Sequence, residues 1–379
     1  MKIYCKILIK YFIQLLLLPI RLLPLKQNRV TLLNDLGGYS DSPRCICEYL
    51  RRAHLQLEIF FACLPPLPEI EGVHFIKKNS FAFFIKALTS KVFLTNNGNI
   101  SFMPFSQHTT VINTWHGGGT CKRIVPLRNR TLGVLWDRDM SAKKTQFFLS
   151  SCKIFTQGAI QDHLATQESI LEIGLPKNDV FFAPTHVKKL REEARHELNI
   201  PPSSIFVLYA PTFRSSYRTE ERRFLNINEV TLVIHAIEQR TKYNVIFGYR
   251  THRLSNTHLS SGNYINLHDY PDIQKLLCAV DVLITDYSSI AWDFSFTNKP
   301  VFIYAPDIKQ YESSIGFYMP SKEWPYPVAT DIDSLLYNIQ NIDISQYLAQ
   351  VKKFHSLVSS YENGHASQRT AKLILSLLS

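Results

Sequence analysis

The chain lacks an apolar run long enough to cross a bilayer: Tyr11–Ile20 is uncharged, but well short of the roughly 20 residues a spanning helix needs. No small-residue cleavage site follows before Asn28, which argues against a secretory signal peptide. There is no GxGxxG and no P-loop lysine motif, so a Rossmann dehydrogenase and a P-loop ATPase are disfavoured. The seven cysteines (Cys5, Cys45, Cys47, Cys63, Cys121, Cys152, Cys278) are scattered, and Cys45-Ile-Cys47 has neither zinc spacing nor an answering pair. They read as reduced thiols of a cytosolic protein, most of them buried. No fixed-period repeat or low-complexity tract is present. Acidic residues are in short supply, 31 against 42 Lys+Arg, a net charge of +11. That surplus favours anionic partners: nucleic acid, phosphorylated substrates or acidic lipid headgroups. The basic segments lack the interleaved aromatics of a nucleic-acid platform, so nucleic acid is not expected.

What is present is a globular composition, 45% hydrophobic and 19% charged over 379 residues, a length that suits two domains. The first 28 residues are the compositional anomaly: strongly apolar, punctuated by Lys10, Arg21 and Lys26, with Pro19 and Pro24 set to break a long helix. They read as a basic-apolar helix lying peripherally on the cytoplasmic membrane face, the alternative being a buried first helix. Beyond them, short apolar strands alternate with amphipathic stretches: "RVTLL" (29–33), a helix within 37–53, "LEIFFACL" (57–64), "KVFLTNN" (91–97) and "TTVINTW" (109–115). The pattern restarts after Pro201-Pro202 with "SIFVLYAPTFR" (204–214), a helix over 228–241, "YNVIFGYRTHR" (243–253), "DVLITDYSSIAWDF" (281–294) and "PVFIYAP" (300–306). Alternation of this kind predicts an α/β fold with parallel sheets, in two domains, 29–186 and 187–379, split near the charged helix 187–198. Two similar α/β domains suggest a cleft, with ligands beyond the carboxyl ends of the strands.

Applied to this chain, that rule picks out four polar loops. "NTWHGGGT" puts His116 after a strand, followed by Gly117, Gly118 and Gly119, with Lys122 and Arg123 behind. The glycines leave the histidine uncovered and offer backbone N–H groups to an anion; the imidazole can take a proton from an attacking hydroxyl. "TDYSS" sets Thr285, Asp286, Ser288 and Ser289 at a helix start, more hydroxyls than capping requires, which suits phosphate. "YRTHR" brings Arg250, His252 and Arg253, and "APTFR" brings Thr212 and Arg214, as neutralising charge for a pyrophosphate. The strings Asp137-Arg138-Asp139 and Asp331-Ile332-Asp333 have DxD spacing but follow no strand into a glycine-rich loop, so both read as chance.

Taken in order, "GGYSDSPRCICEYL", "TWHGGGTCK", "GLPKNDVFF", "YAPTFR", "YRTH" and "DVLITDYSSIAWDF" resemble the CDP-glycerol glycerophosphotransferase family of teichoic acid and capsule synthesis, over about residues 30–310. The resemblance implies two Rossmann-like domains facing a central cleft (GT-B), in a monotopic membrane enzyme using CDP-glycerol or a related CDP-polyol. An acceptor hydroxyl would attack the β-phosphate and release CMP; the acceptor would be a lipid-linked or polymeric glycan. By position, His116 resembles the family's base and His252 its second essential histidine, at the donor pyrophosphate. Thr285, Asp286, Ser288 and Ser289 match the donor loop, Arg214 follows "YAPT", and Gly117, Gly118, Gly119 and Lys122 belong to the acceptor-side loop. A Mg2+ ion would help balance the pyrophosphate, but no ligand cluster marks a site for it. Two other readings stand beside this one: a GT-B glycosyltransferase using a nucleotide sugar, and a non-enzymatic membrane-bound scaffold for polyanions.

Overall fold

The computed structural model describes residues 2–35, 37–53, 56–119, 122–212, 224–250 and 264–379. The chain forms two compact units, one built from Met1–Gly118, Arg128–Asp179 and Ser360–Ser379, the other from Gly119–Leu127 and Val180–Ser359.

The first unit opens with α1 (Lys2–Leu17), ended by Pro19 at the start of a short 3-10 turn. It continues through β1 (Lys26–Leu33), α2 (Asp41–Ala53), β2 (Glu58–Cys63), β3 (His74–Lys77), α3 (Phe81–Leu88), β4 (Ser90–Thr95) and β5 (Thr110–Asn113). It then takes in α4 (Leu132–Ala142), β6 (Phe147–Leu149), α5 (Lys153–Gln161) and β7 (Ile170–Leu171). The seven strands make a parallel sheet in the order β3-β2-β1-β4-β5-β6-β7. Side chains alternate across it, as a sheet covered on both faces requires. Val30, Leu32, Ile59, Phe61, Val92 and Leu94 pack against Ile46 and Leu50 of α2. Leu33, Ala62, Phe93 and Val111 turn the other way, onto Leu17, Ile20 and Phe83.

The second unit contains α6 (Pro184–Glu197), β8 (Ile205–Ala210), α7 (Ile227–Thr241), β9 (Val245–Tyr249), β10 (Ile265–Asn266) and α8 (Ile273–Ala279). After these come β11 (Val282–Thr285), α9 (Ile290–Ser295), β12 (Val301–Tyr304), α10 (Ile308–Ser314), β13 (Val328–Ala329), α11 (Ile332–Asn341) and α12 (Ile344–Leu357). Its six strands are also parallel, in the order β10-β9-β8-β11-β12-β13. Val207, Tyr209, Phe247 and Ile284 pack on Val230 and Val233 of α7 and Leu335 of α11. Arg195 on α6 is buried and holds Asp281 at 3.0 Å while donating to the carbonyls of Pro201 and Ser204, which ties α6 to the base of β8 and β11. The final helix, α13 (Ala366–Leu378), returns to the first unit, where Ala371 and Ile374 join the core against β1 and β4.

The boundaries differ from a simple split at 186/187. The crossing falls between Asp179 and Val180, and the segment Gly119–Leu127 belongs to the second unit. The reason for the second difference is local. Gly119 has φ +78, and a Cβ there would stand 2.8 Å from Cβ of Trp292 on α9, so only glycine fits. Lys122 then pairs with Phe317 in an antiparallel bridge, Arg123 N–H donates to Gly316 O (2.9 Å), and Leu127 N–H to Ile315 O (3.0 Å).

Candidate active site

Each sheet reverses its strand order once, between β1 and β4 in the first unit and between β8 and β11 in the second. The carboxyl-end loops beside such a reversal are where open α/β sheets bind ligands; the loops after β8 and β11 lie there, and the His116 loop follows β5, the neighbour of β4.

In the first unit the site is built around His116. Thr114 N–H donates to Thr95 O (2.8 Å) and Trp115 N–H to Asn113 Oδ1 (2.8 Å), which fixes the chain as it leaves β5. Trp115 then adopts φ +52, a left-handed conformation that costs a non-glycine residue about 1 kcal/mol or more. The turn stacks the buried indole on the imidazole, ring centres 4.5 Å apart. Nδ1 of His116 lies 3.0 Å from the carbonyl oxygen of Asn96. A carbonyl only accepts, so Nδ1 carries a proton, and in the neutral ring Nε2 is the basic nitrogen, the tautomer of a base.

The Asn96 carbonyl is itself held rigidly. The buried Asn96 side chain accepts from Asp35 N–H (3.0 Å) and donates to Asn34 Oδ1 (2.9 Å) and Asp41 Oδ2 (2.9 Å). Asn34 in turn donates to Gly38 O (2.8 Å). From the other side, the buried Lys177 donates through Nζ to His116 O at 3.1 Å. Its neighbours in "PKND" are anchors: Asn178 donates to Glu362 Oε1 (2.9 Å), and Asp179 accepts from the N–H groups of Ala366 (3.0 Å) and Ser367 (2.7 Å) at the start of α13. Asn34, Asp41, Asn96 and Lys177 were not among the sequence candidates. Asn96 lies in the polar run "TNNGN" after β4, whereas Asp41 and Lys177 lie inside the motifs "GGYSDSPRCICEYL" and "GLPKNDVFF", where position alone did not mark them out.

Gly117 and Gly118 are buried beside His116 in the first unit. Gly119 and Lys122, expected on the same acceptor-side loop, are instead part of the second unit, held by Trp292 and Phe317 as described above.

In the second unit, β8 and β11 are paired so that Thr285 stands opposite Ala210. Thr285 is fully buried and donates to Ala210 O at 2.7 Å. Asp286 is buried as well. Its carboxylate accepts from Thr212 N–H (2.9 Å), Thr212 Oγ1 (2.5 Å) and Tyr287 N–H (2.6 Å). The side chains of Thr285, Asp286 and Thr212, expected at the donor phosphates, lock the β8 and β11 loops together, the two hydroxyls donating to Ala210 O and Asp286. Ser288 and Ser289 are half-buried at the loop's outer end, and Ser289 makes no capping bond with its side chain. Arg250 is likewise drawn inward. Its Nη1 donates to the carbonyls of Leu267 (2.5 Å) and Tyr270 (2.8 Å), so it fastens the segment after β10 as well as bringing charge to the end of β9. Arg214 and His252 lie outside the described residues, as does Arg253.

Rival chemistries find little support. Asp137 is paired with Lys10 (2.6 Å) and Asp139 with Lys143 (2.7 Å), while Asp331 caps α11 through Ser334 N–H (2.8 Å), so all three have structural roles. The described cysteines are free thiols; burial pushes Cys63 up to about 11 and Cys47, Cys152 and Cys278 to about 12, far from the thiolate a nucleophile needs.

Comparison with known proteins decides the family. The sequence model of CDP-Glycerol:Poly(glycerophosphate) glycerophosphotransferase matches residues 16–376. The chain belongs to that family. It is 28% identical to the teichoic acid glycerol-phosphate transferase of Staphylococcus aureus, covering 89% of this chain and 90% of that one. It is 27% identical to the teichoic acid poly(glycerol phosphate) polymerase of Staphylococcus epidermidis, covering 89% of this chain but 49% of the polymerase, so it spans about half the length of that relative. The solved structure of the wall teichoic acid polymerase TagF superimposes with a TM-score of 0.81 at 26% identity, covering 93% of this chain and 90% of the other. A TagF variant soaked with CDPG matches with a TM-score of 0.78 at 24% identity over the same shares of the two chains, which bears on the fold alone.

Proposed function

We propose that this protein transfers glycerol phosphate, or a closely related polyol phosphate, from a CDP-activated donor to a hydroxyl of a glycerol-phosphate-bearing acceptor. The observation that carries the reading is the Nδ1–H to Asn96 carbonyl bond, which directs Nε2 of His116 to act as base. Family membership and the likeness to TagF support the donor class. In the step proposed, the acceptor oxygen attacks the β-phosphorus of the donor as His116 Nε2 takes its proton. A new P–O ester bond forms, the pyrophosphate P–O bond breaks, and its electron pair leaves with CMP. In this reading Ser288 and Ser289, half-buried after β11, hold the donor phosphates with the loop's backbone N–H groups. His252 and Arg214 keep the roles the family resemblance implies for them: pyrophosphate contact and added positive charge.

The same reading places the protein peripherally on a membrane. Among the described residues no helix is long and apolar enough to cross one. α1 is seated by Lys10 on Asp137 and by Leu17 in the core, yet exposes Leu8, Ile9, Phe12, Leu15 and Leu16. Leu132 and Trp136 on α4, which packs against α1, are exposed too. A contiguous apolar face of this kind beside basic residues suits a lipid surface.

The test of the chemistry is a donor comparison. Purified protein with CDP-glycerol and a short glycerol-phosphate oligomer should lengthen the oligomer and release CMP in equal amounts. Transfer from a UDP-sugar with no turnover of CDP-glycerol would establish the glycosyltransferase reading instead.

A further inference from the structure

The α4 helix carries an arginine, Arg138, that forms no ion pair among the described residues. Arg138 is half-buried, and among the described residues its guanidinium makes no hydrogen bond and no ion pair. The two carboxylates near enough to influence it are taken by other cations: Asp137 by Lys10 at 2.6 Å, and Asp162 by Arg130. Burial holds the Arg138 pKa below its ordinary value, but an arginine stays charged. Its guanidinium is half-open to solvent, and a planar fork of this kind matches a phosphate or carboxylate.

Its position is specific. A Cβ on Gly98 would stand 3.1 Å from Arg138 Nη1 and 3.4 Å from Cζ3 of Trp115, so the guanidinium lies close against this loop. The Trp115 indole stacks on His116, and Asn96, two residues before Gly98, supplies the carbonyl that orients the base. The cation and the base thus flank one short loop of the first unit.

We propose that Arg138 binds the phosphodiester of the acceptor, and so sets both the acceptor's charge requirement and the approach of its terminal hydroxyl to His116. The proposal rests on the transferase reading and deepens it. In a glycerol-phosphate chain, the free hydroxyl and the nearest phosphodiester are separated by one three-carbon unit, a short reach that suits a cation and a base flanking one loop. A neutral sugar acceptor would give Arg138 nothing to hold.

The experiment compares two short acceptors, a glycerol-phosphate dimer and its methylphosphonate counterpart, the same in shape but without the charge. Wild-type protein should prefer the charged acceptor. Arg138→Gln should raise KM for the charged dimer at least about ten-fold, leave KM for the methylphosphonate and for CDP-glycerol unchanged, and erase the preference. Arg138→Lys, which keeps the charge but not the fork, should fall between. Calorimetric binding of the dimer without donor reads the same contact independently of turnover, so failure of the transfer chemistry and failure of this inference are separable. Equal losses with both acceptors, a raised KM for CDP-glycerol, or unchanged dimer binding in a folded Arg138→Gln protein would overturn it.

Discussion

Single residues carry effects that the fold alone does not announce. His355 on α12 stacks on Phe296 at 4.6 Å and meets Trp292 edge-on at 5.2 Å. Ser295 Oγ donates to Trp292 O (2.7 Å), so it accepts from Nε2–H of His355 (2.8 Å). Burial lowers the His355 pKa to about 4. An unfolded histidine protonates near 6.5, so between about 6.5 and 4 the unfolded chain binds more protons and stability falls as pH falls. The contribution is fully present above about 6.5 and lost on acidification toward 4. Melting temperatures measured from pH 7.5 to 4.5 should therefore drop less steeply for His355→Gln than for wild type; parallel curves would contradict the assignment. Since Trp292 is the surface on which Gly119 packs, this histidine also supports the segment that follows the base-bearing loop. None of this was legible in the sequence, where His355 is one of 13 histidines with no motif around it. His116 was legible, because a strand end and three glycines isolate it. Its partner Asn96 was not: the bond uses a backbone carbonyl, and every residue has one.

Elements were easier to read than contacts. Hydrophobic runs gave the strands on either side of both switch points, because parallel strands buried on both faces are apolar throughout. Short elements were harder. The segment after "TDYSS" reads as a helix start, yet α9 is only Ile290–Ser295, and the threonine and aspartate before it serve the β8–β11 junction. Propensity cannot distinguish a loop that offers its side chains outward from one that spends them on its neighbour. α1 reads two ways from sequence, as a membrane helix or a buried one. The structure gives it one seated face and one exposed apolar face. Exchanging three exposed residues, Leu8, Phe12 and Leu16, for serine should leave melting unchanged and weaken co-sedimentation with anionic-lipid vesicles by about a hundred-fold or more, given roughly 1.5–3 kcal/mol for each large side chain buried. Undiminished vesicle binding by the triple variant would remove α1 from the membrane contact.

For the molecule as a whole, two parallel sheets each bring polar loops to the carboxyl ends of their strands at a reversal of strand order. The first unit holds an oriented imidazole after β5, and the second has its own hydrogen-bonded junction between β8 and β11. The alternation of strands and helices made that plan readable from the chain, whereas the crossing of Gly119–Leu127 into the second unit depends on a contact with Trp292 far along the sequence, which no local pattern reports. The proposed transfer requires His116 as the base. The most direct measurement is single-turnover CMP release from CDP-glycerol in the presence of acceptor, with wild type and His116→Gln side by side and donor binding measured on both. The account predicts unchanged donor affinity and a rate lowered by about 10²–10⁴-fold; a His116→Gln rate close to that of wild type would contradict it.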